Sequence, residues 1–259
     1  MLLQDQVALV TGAGTGIGRE IALRFAQEGA SVVLTGRSLA QMHDVAEQVT
    51  VAGGRALVAR VDLREPATID VAAQRALQEF GRVDVLVANS GVGGPTKPLW
   101  ELSRQEWDDT FEVNVTGTFL CCRAVLPQML SRGSGSIVVV GSITGKRPLV
   151  NRSPYAASKT ALIGLVRTLA AEVGSQGVRV NLLSPGGVAG ARIDWVIAHQ
   201  AESRGISVEQ ARGEFAAESA LGRLVDPGEV ADAAAFLASS RAAAITGQDL
   251  NVAAGLVMY

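Results

Sequence analysis

The chain is poor in the residues that staple, wire or anchor a protein. Its 259 residues include two cysteines, Cys121 and Cys122, and these are neighbours. Adjacent cysteines cannot build a disulfide framework, so they read as small apolar side chains on a helix in a reducing compartment. The two histidines, His43 and His199, lie far apart and lack metal-ligand spacing, so no metal is expected. No apolar run approaches the roughly 18 residues that would suggest a membrane span. A strand is expected by Val7, which leaves no room for a secretory leader. Charge is also scarce: 23 basic against 25 acidic residues give a net −2, with no basic run to attract nucleic acid or a membrane surface. The expectation is a cytoplasmic protein that binds neither.

Apolar residues, by contrast, make up 48% of the chain and charged ones 19%, which excludes disorder and implies a well-buried core. Short β-branched runs at 7–11, 31–35, 56–62, 84–88, 136–140, 179–184 and 249–252 alternate with helical patterns. The helices are predicted at 16–28, 39–52, 66–80, 103–130, 155–173 and 227–237, with a capping box at Ser103–Glu106 and a bend at Pro127. Such alternation implies right-handed crossovers and a doubly wound α/β fold, a parallel sheet with helices on both faces. Without an internal repeat or linker, residues 1–259 read as a single domain. Residues 186–226 interrupt the pattern with two short predicted helices carrying Trp195 and Phe215. Following a strand end, where the ligand crevice of such sheets lies, they read as a substrate lid; peripheral packing is the plainer alternative.

The first strand runs into Thr11-Gly-Ala-Gly-Thr-Gly-Ile-Gly18 and then a helix. Glycines let the backbone turn sharply toward a pyrophosphate, and the helix N-terminus offers free N–H groups and a positive dipole. The spacing differs from G-x-G-x-x-G, and a tight strand-to-helix turn is the bland reading. Asp62 ends the third strand, where it can accept from an adenine amino group or simply cap the next helix. Asn89-Ser-Gly91 ends the fourth with room for close approach. At the end of the second strand Gly36-Arg37 stands where an acidic residue would select NAD; a planar cation there suits the 2′-phosphate of NADP unless it is merely solvated.

Tyr155-Ala-Ala-Ser-Lys159 places a phenol and an ammonium one helical turn apart. A free tyrosine, with a pKa near ~10, is a sluggish base at neutral pH, and a nearby cation favours its phenolate. Ser142, thirteen residues earlier at a strand end, can hold a carbonyl oxygen beside that phenol. Each residue has a duller reading: a helix start, a solvated face, a turn former, and for Asn114 a helix irregularity. Their occurrence in order behind a nucleotide turn argues against coincidence.

The set Thr11-Gly12…Gly16-Ile17-Gly18, Asp62, Asn89-x-Gly91, Asn114, Ser142, Tyr155-x-x-x-Lys159 and Pro185-Gly186 resembles the short-chain dehydrogenase/reductase family over essentially the whole chain. The resemblance implies a seven-stranded Rossmann-type sheet and an NAD(P)(H)-dependent interconversion of a secondary alcohol and a ketone. Tyr155 would be the general acid/base, Ser142 would polarise the substrate oxygen, and Lys159 would bind the nicotinamide ribose. Asn114 would hold a proton-relay water. Cofactor contacts would come from Gly12, Thr15, Gly16, Ile17, Gly18, Arg37, Asp62, Leu63, Asn89 and Gly91, joined by Tyr155, Lys159, Pro185, Gly186 and Val188. The small residues Ala156, Ala157, Ala161 and Gly164 correspond to a subunit-contact face, which implies a homotetramer. The chain departs from the pattern at Ser90, at Val252-Ala-Ala-Gly255, which lacks an acidic residue, and at Gly187-Val188, where threonine is usual. The last change leaves the Val188 backbone to meet the nicotinamide amide.

The substrate is expected to be small and polar: a sugar, polyol, hydroxy acid or 3-oxoacyl compound. Arg152, just before Tyr155, can reach an anionic substrate group, as can Lys146, Arg147 and Arg192; surface or subunit-contact placement is the commoner fate of such charges. A catalytically silent nucleotide sensor on the same scaffold is the alternative from another class. An epimerase or dehydratase would need a larger C-terminal region.

Overall fold

Valine- and leucine-rich runs form a sheet buried on both faces, as parallel strands require. The computed structural model describes residues 1–259. Its strands are β1 (Val7–Thr11), β2 (Ser31–Gly36), β3 (Ala56–Arg60), β4 (Val85–Ala88), β5 (Gly135–Val140), β6 (Val178–Pro185) and β7 (Asp249–Val252). All pair in parallel in the order β3-β2-β1-β4-β5-β6-β7. Helices α1 (Gly16–Gln27), α2 (Leu39–Val51) and α9 (Pro227–Ala238) bury 25 core residues with one face. Helices α3 (Pro66–Phe80), α5 (Gly117–Arg132) and α6 (Ser153–Val173) bury 27 with the other, so neither face is left to solvent. No helix is long and apolar enough to cross a membrane.

The chain order reverses between β1 and β4, and there the two strand ends are tied together. Thr11 Oγ1 accepts from the N–H groups of Asn89 at 2.9 Å and Ser90 at 3.0 Å. A doubly wound sheet opens its ligand crevice at such a switch point. The excursion after β6 forms α7 (Ala191–Arg204) and α8 (Val208–Ala217), which carry Trp195 and Phe215.

Two predicted boundaries differ. The long helix expected over 103–130 is three segments: α4 (Arg104–Phe111), a π-helical turn (Glu112–Thr116) and α5. The wide turn lets Asn114 leave the helical pattern and bond across to Val92; α5 then continues through Pro127 to Arg132. The third strand stops at Arg60, short of Asp62, because the Asp62 N–H turns to Thr68 Oγ1 of α3. Cys121 and Cys122 are buried on α5, and burial raises both thiols, Cys122 to about 12.

Asp84, just ahead of β4, is a buried hub. Oδ2 accepts the Val7 N–H at 2.9 Å, and Oδ1 accepts from Arg82 and from Arg132, both at 2.9 Å. Asp84→Ala strips the acceptor from a buried amide and leaves Arg82 and Arg132 without an acid, which should cost about 2–4 kcal/mol. Urea unfolding checks this; a loss below about 0.5 kcal/mol, the scale of an ordinary surface change, would refute the hub.

Candidate active site

The glycine turn is built for close approach. Gly12 and Gly16 adopt φ of 67° and 54°, left-handed values that favour glycine. A methyl group at Gly18 would lie 2.2 Å from the Gly12 carbonyl oxygen and 2.4 Å from Asn89 Nδ2, so α1 docks against the turn only because the side chain is missing. Thr15 is the N-cap of α1 yet makes no side-chain cap, and no acidic residue occupies the first turn. The helix N-terminus therefore keeps its positive end for an external anion. Gly36 faces Gly12, and Arg37 beyond it is exposed and engages in no ion pair. These features fit a dinucleotide.

The remaining nucleotide-site candidates stand in different surroundings. Ile17 packs against the core below the turn. Asn89 Nδ2 is spent on the Thr11 carbonyl at 2.9 Å, so this side chain holds the turn together. Leu63 is buried against Gly117, which leaves only its backbone to face a ligand. Asp62 Oδ1 accepts from the Arg64 N–H at 3.1 Å, a turn within the loop rather than a cap on α3, whose N-cap is Glu65. Gly91 borders Asn114 and Lys159, where a methyl would come within 3.1 and 3.6 Å of their polar atoms. Pro185 ends β6, and Gly186 is pressed against Ala253. Val188 bridges Val225 through its neighbours' backbone groups, and its own N–H and C=O make no backbone bond.

The reacting centre sits where β5 and α6 meet. Ser142 follows β5 and accepts the Thr144 N–H at 3.1 Å, which leaves its own proton available to donate. Lys159 is buried and donates to the Val140 carbonyl at 2.9 Å, with its ammonium 5.9 Å from the Tyr155 ring centre. Asn114, also buried, accepts from the Val92 N–H at 2.8 Å and donates to the Val92 carbonyl and to Ser158 Oγ, both at 3.0 Å. Ser158 in turn donates to the Tyr155 carbonyl at 2.8 Å. Ser158 was not singled out in the sequence, although its place inside Tyr155-x-x-x-Lys159 was the available signal.

Burial works against ionisation of the Tyr155 phenol. The charges of Lys159 and Arg192, hydrogen bonding from Ser142 and the charge of Arg152 outweigh it, and the pKa falls below the ordinary tyrosine value. Burial lowers the Lys159 pKa; Tyr155 opposes that shift and Arg192 adds to it. Arg152 stands at the N-cap position of α6 without capping it and bonds the Gly93 carbonyl at 2.6 Å, while Lys146 pairs with Asp249 and Arg147 with Glu218. Of the four loop cations, Arg152 and Arg192 reach the phenol and the other two are structural. The arrangement can move a proton at the phenol oxygen beside a hydroxyl donor.

Comparison with known proteins gives the same assignment. The family model described as "short chain dehydrogenase" matches residues 6–201. The chain is 39% identical over 251 residues to the cis-4-hydroxycyclohexanecarboxylate dehydrogenase of Sinomonas cyclohexanicum, covering 97% of this chain and 96% of that one. It superposes on an actinorhodin polyketide ketoreductase solved with NADPH at a TM-score of 0.93, with 37% identity and 100% of each chain covered. A 7α-hydroxysteroid dehydrogenase solved with NADH and a 7-oxo bile acid gives 0.90, with 33% identity over 99% of this chain and 96% of that one. The chain belongs to the short-chain dehydrogenase/reductase family. It is an oxidoreductase that interconverts a secondary alcohol and a ketone.

The chain has two tyrosines, so Tyr259→Phe leaves Tyr155 as the sole phenol. Its phenolate absorbance should titrate with a midpoint below the ordinary ~10. Adding Lys159→Met removes the largest of the lowering influences and should move the midpoint up. A midpoint unmoved by that change would exclude the charge coupling.

Proposed function

We propose that this oxidoreductase uses NADP(H) in preference to NAD(H) and acts on a small polar substrate, with Tyr155 as general acid/base. The observation that carries the reading is the half-buried phenol whose pKa is lowered by flanking cations, beside a serine hydroxyl free to donate. When bound, the nicotinamide supplies or takes the hydride. Tyr155 gives its proton to the substrate oxygen in reduction and withdraws it in oxidation, and Ser142 holds that oxygen. Lys159 keeps its remaining N–H groups for the ribose hydroxyls and stabilises the phenolate. The Asn114 side chain is committed to Val92 and Ser158, so a relay water would meet its backbone carbonyl, which already accepts from Thr118 Oγ1 at 2.8 Å.

Arg37 supports NADP(H): an exposed guanidinium without an ion pair stands beyond Gly36, where a 2′-phosphate would sit. The relative solved with NADPH is consistent with this choice. We assign residues 1–259 to one domain in which α7 and α8, within 186–226, act as a substrate lid at the end of β6. A homotetramer in the cytoplasm completes the reading. Its support is the exposed Phe119 on α5, the open space around Gly164 on α6, and the exposed Met258 and Tyr259 at the C-terminus.

Tyr155→Phe should lower turnover of a ketone panel by about 10²–10⁴-fold, the range of a lost general acid, with NADPH affinity largely kept. Binding without turnover in the unaltered protein would instead favour a silent nucleotide sensor. Arg37→Asp should shift the NADPH-to-NADH ratio of kcat/KM toward NADH by about 10- to 100-fold, the value of one charge-assisted hydrogen bond. Steady-state kinetics with both cofactors check each outcome, and an unchanged ratio removes Arg37 from cofactor choice.

A further inference from the structure

Three cations surround one phenol. The guanidinium carbons of Arg152 and Arg192 lie 5.3 and 5.5 Å from the Tyr155 ring centre, and the Lys159 ammonium lies 5.9 Å away. No carboxylate of the chain answers the two arginines. The nearest acid to Arg192 in sequence, Asp194, is held by Arg212, and Glu218 is held by Arg147. Arg152 bonds only the Gly93 carbonyl, and its Nε is buried without a partner. The Arg192 side chain makes no hydrogen bond or salt bridge within the chain, although Lys146 and Arg147, in the segment after Ser142, both find acids.

The two guanidinium groups converge on one point. A methyl group built on Gly93, in the loop after β4, would lie 2.6 Å from Arg152 Nη2 and 2.7 Å from Arg192 Nη2. Both arginines also start helices, Arg152 as the N-cap of α6 and Arg192 as the second residue of α7, so two positive helix ends add to the same field. The ring face attracts each cation, but the repulsion among the three is left without a carboxylate of the chain to offset it. Two flat guanidinium forks match the two in-plane oxygens of a carboxylate.

We propose that Arg152 and Arg192 form an anion-binding pair that seats a carboxylate of the substrate beside the Tyr155 phenol, so that the enzyme acts on hydroxy or oxo carboxylic acids. The proposal rests on the reading of Tyr155 as the group that meets the substrate oxygen. Gly93 is part of the site, since any side chain there would push both guanidinium groups aside. Because those are the ends of flexible side chains, Gly93→Ala should fold while opening the pair.

The test is calorimetric titration of the NADP⁺-loaded protein with cyclohexanecarboxylate, an anion without an oxidisable hydroxyl. Cyclohexanecarboxamide serves as its neutral counterpart and inorganic phosphate as a tetrahedral anion. The carboxylate should bind at least about 10-fold more tightly than the amide, the value of one charge-assisted contact, and Arg152→Gln, Arg192→Gln or Gly93→Ala should each erase most of that difference. Equal affinity for carboxylate and amide, no carboxylate binding, or indifference to both arginine substitutions would overturn the pair. Tighter binding of phosphate would overturn the carboxylate assignment. In turnover, the ratio of KM for 4-oxocyclohexanecarboxylate to KM for its methyl ester should rise at least about 10-fold in Arg192→Gln, again the value of one such contact. The ratio cancels the effect of the lost cation on Tyr155, and an unchanged ratio counts against the pair. Failure to reduce either compound, with the binding difference intact, would sink the role of Tyr155 and leave the arginine pair standing.

Discussion

The rest of the site depends on keeping a phenol ionisable inside a protein. Burial favours the neutral form of Tyr155, and only fixed positive charge reverses that preference. The fold supplies the nearest charge locally, since Tyr155 and Lys159 share one face of α6 a turn apart. Lys159 is itself buried, and an unheld ammonium there would be costly. The carbonyl of Val140, at the end of β5, holds it at 2.9 Å. The C-terminal end of β5 thus fixes the ammonium, the helix carries that position to the phenol, and the phenol inherits its acidity from both.

A second chain of contacts fixes the other side of the same helix. Asn114 pairs with both backbone groups of Val92 and passes a hydrogen bond through Ser158 to the Tyr155 carbonyl. An α-helix running straight from α4 into α5 would not present that side chain with this reach, and a π turn stands in its place. The local irregularity is the cost of linking the loop after β4 to the start of α6. That loop carries Gly91 and Gly93, so the segment expected to face the cofactor and the segment that meets the arginines are set by one side chain.

Much of this was legible in the residues. Strand and helix periods, the glycine turn and the Tyr155–Lys159 spacing are local signals, and local chemistry acts over the distances that a sequence displays directly. The boundary errors fall where a distant partner decides. The third strand ends early because Thr68 captures the Asp62 N–H, and the helix over 103–130 breaks because Val92 captures Asn114. Asn89 illustrates a different limit: its place in the site was readable, but its use as a brace for Thr11 depends on two strand ends meeting. The convergence of Arg152 and Arg192 on Gly93 joins the starts of α6 and α7 to the loop after β4, and no spacing along the chain encodes it.

The four cations of the substrate side divide in a way that burial and pairing explain. Lys146 reaches Asp249 at the start of β7 at 2.9 Å and Asn251 at 2.6 Å, with both charged side chains nearly enclosed. A buried pair of this kind contributes little net stability but penalises any geometry that separates it. It therefore pins the segment after Ser142 to the last strand, while Arg147 ties the same segment to Glu218 beyond α8. With those two charges neutralised, the positive field on this side comes from Arg152 and Arg192, concentrated around the phenol. Low-dielectric walls focus such a field, so the same arrangement that makes Tyr155 more acidic also makes the space beside it attractive to an anion.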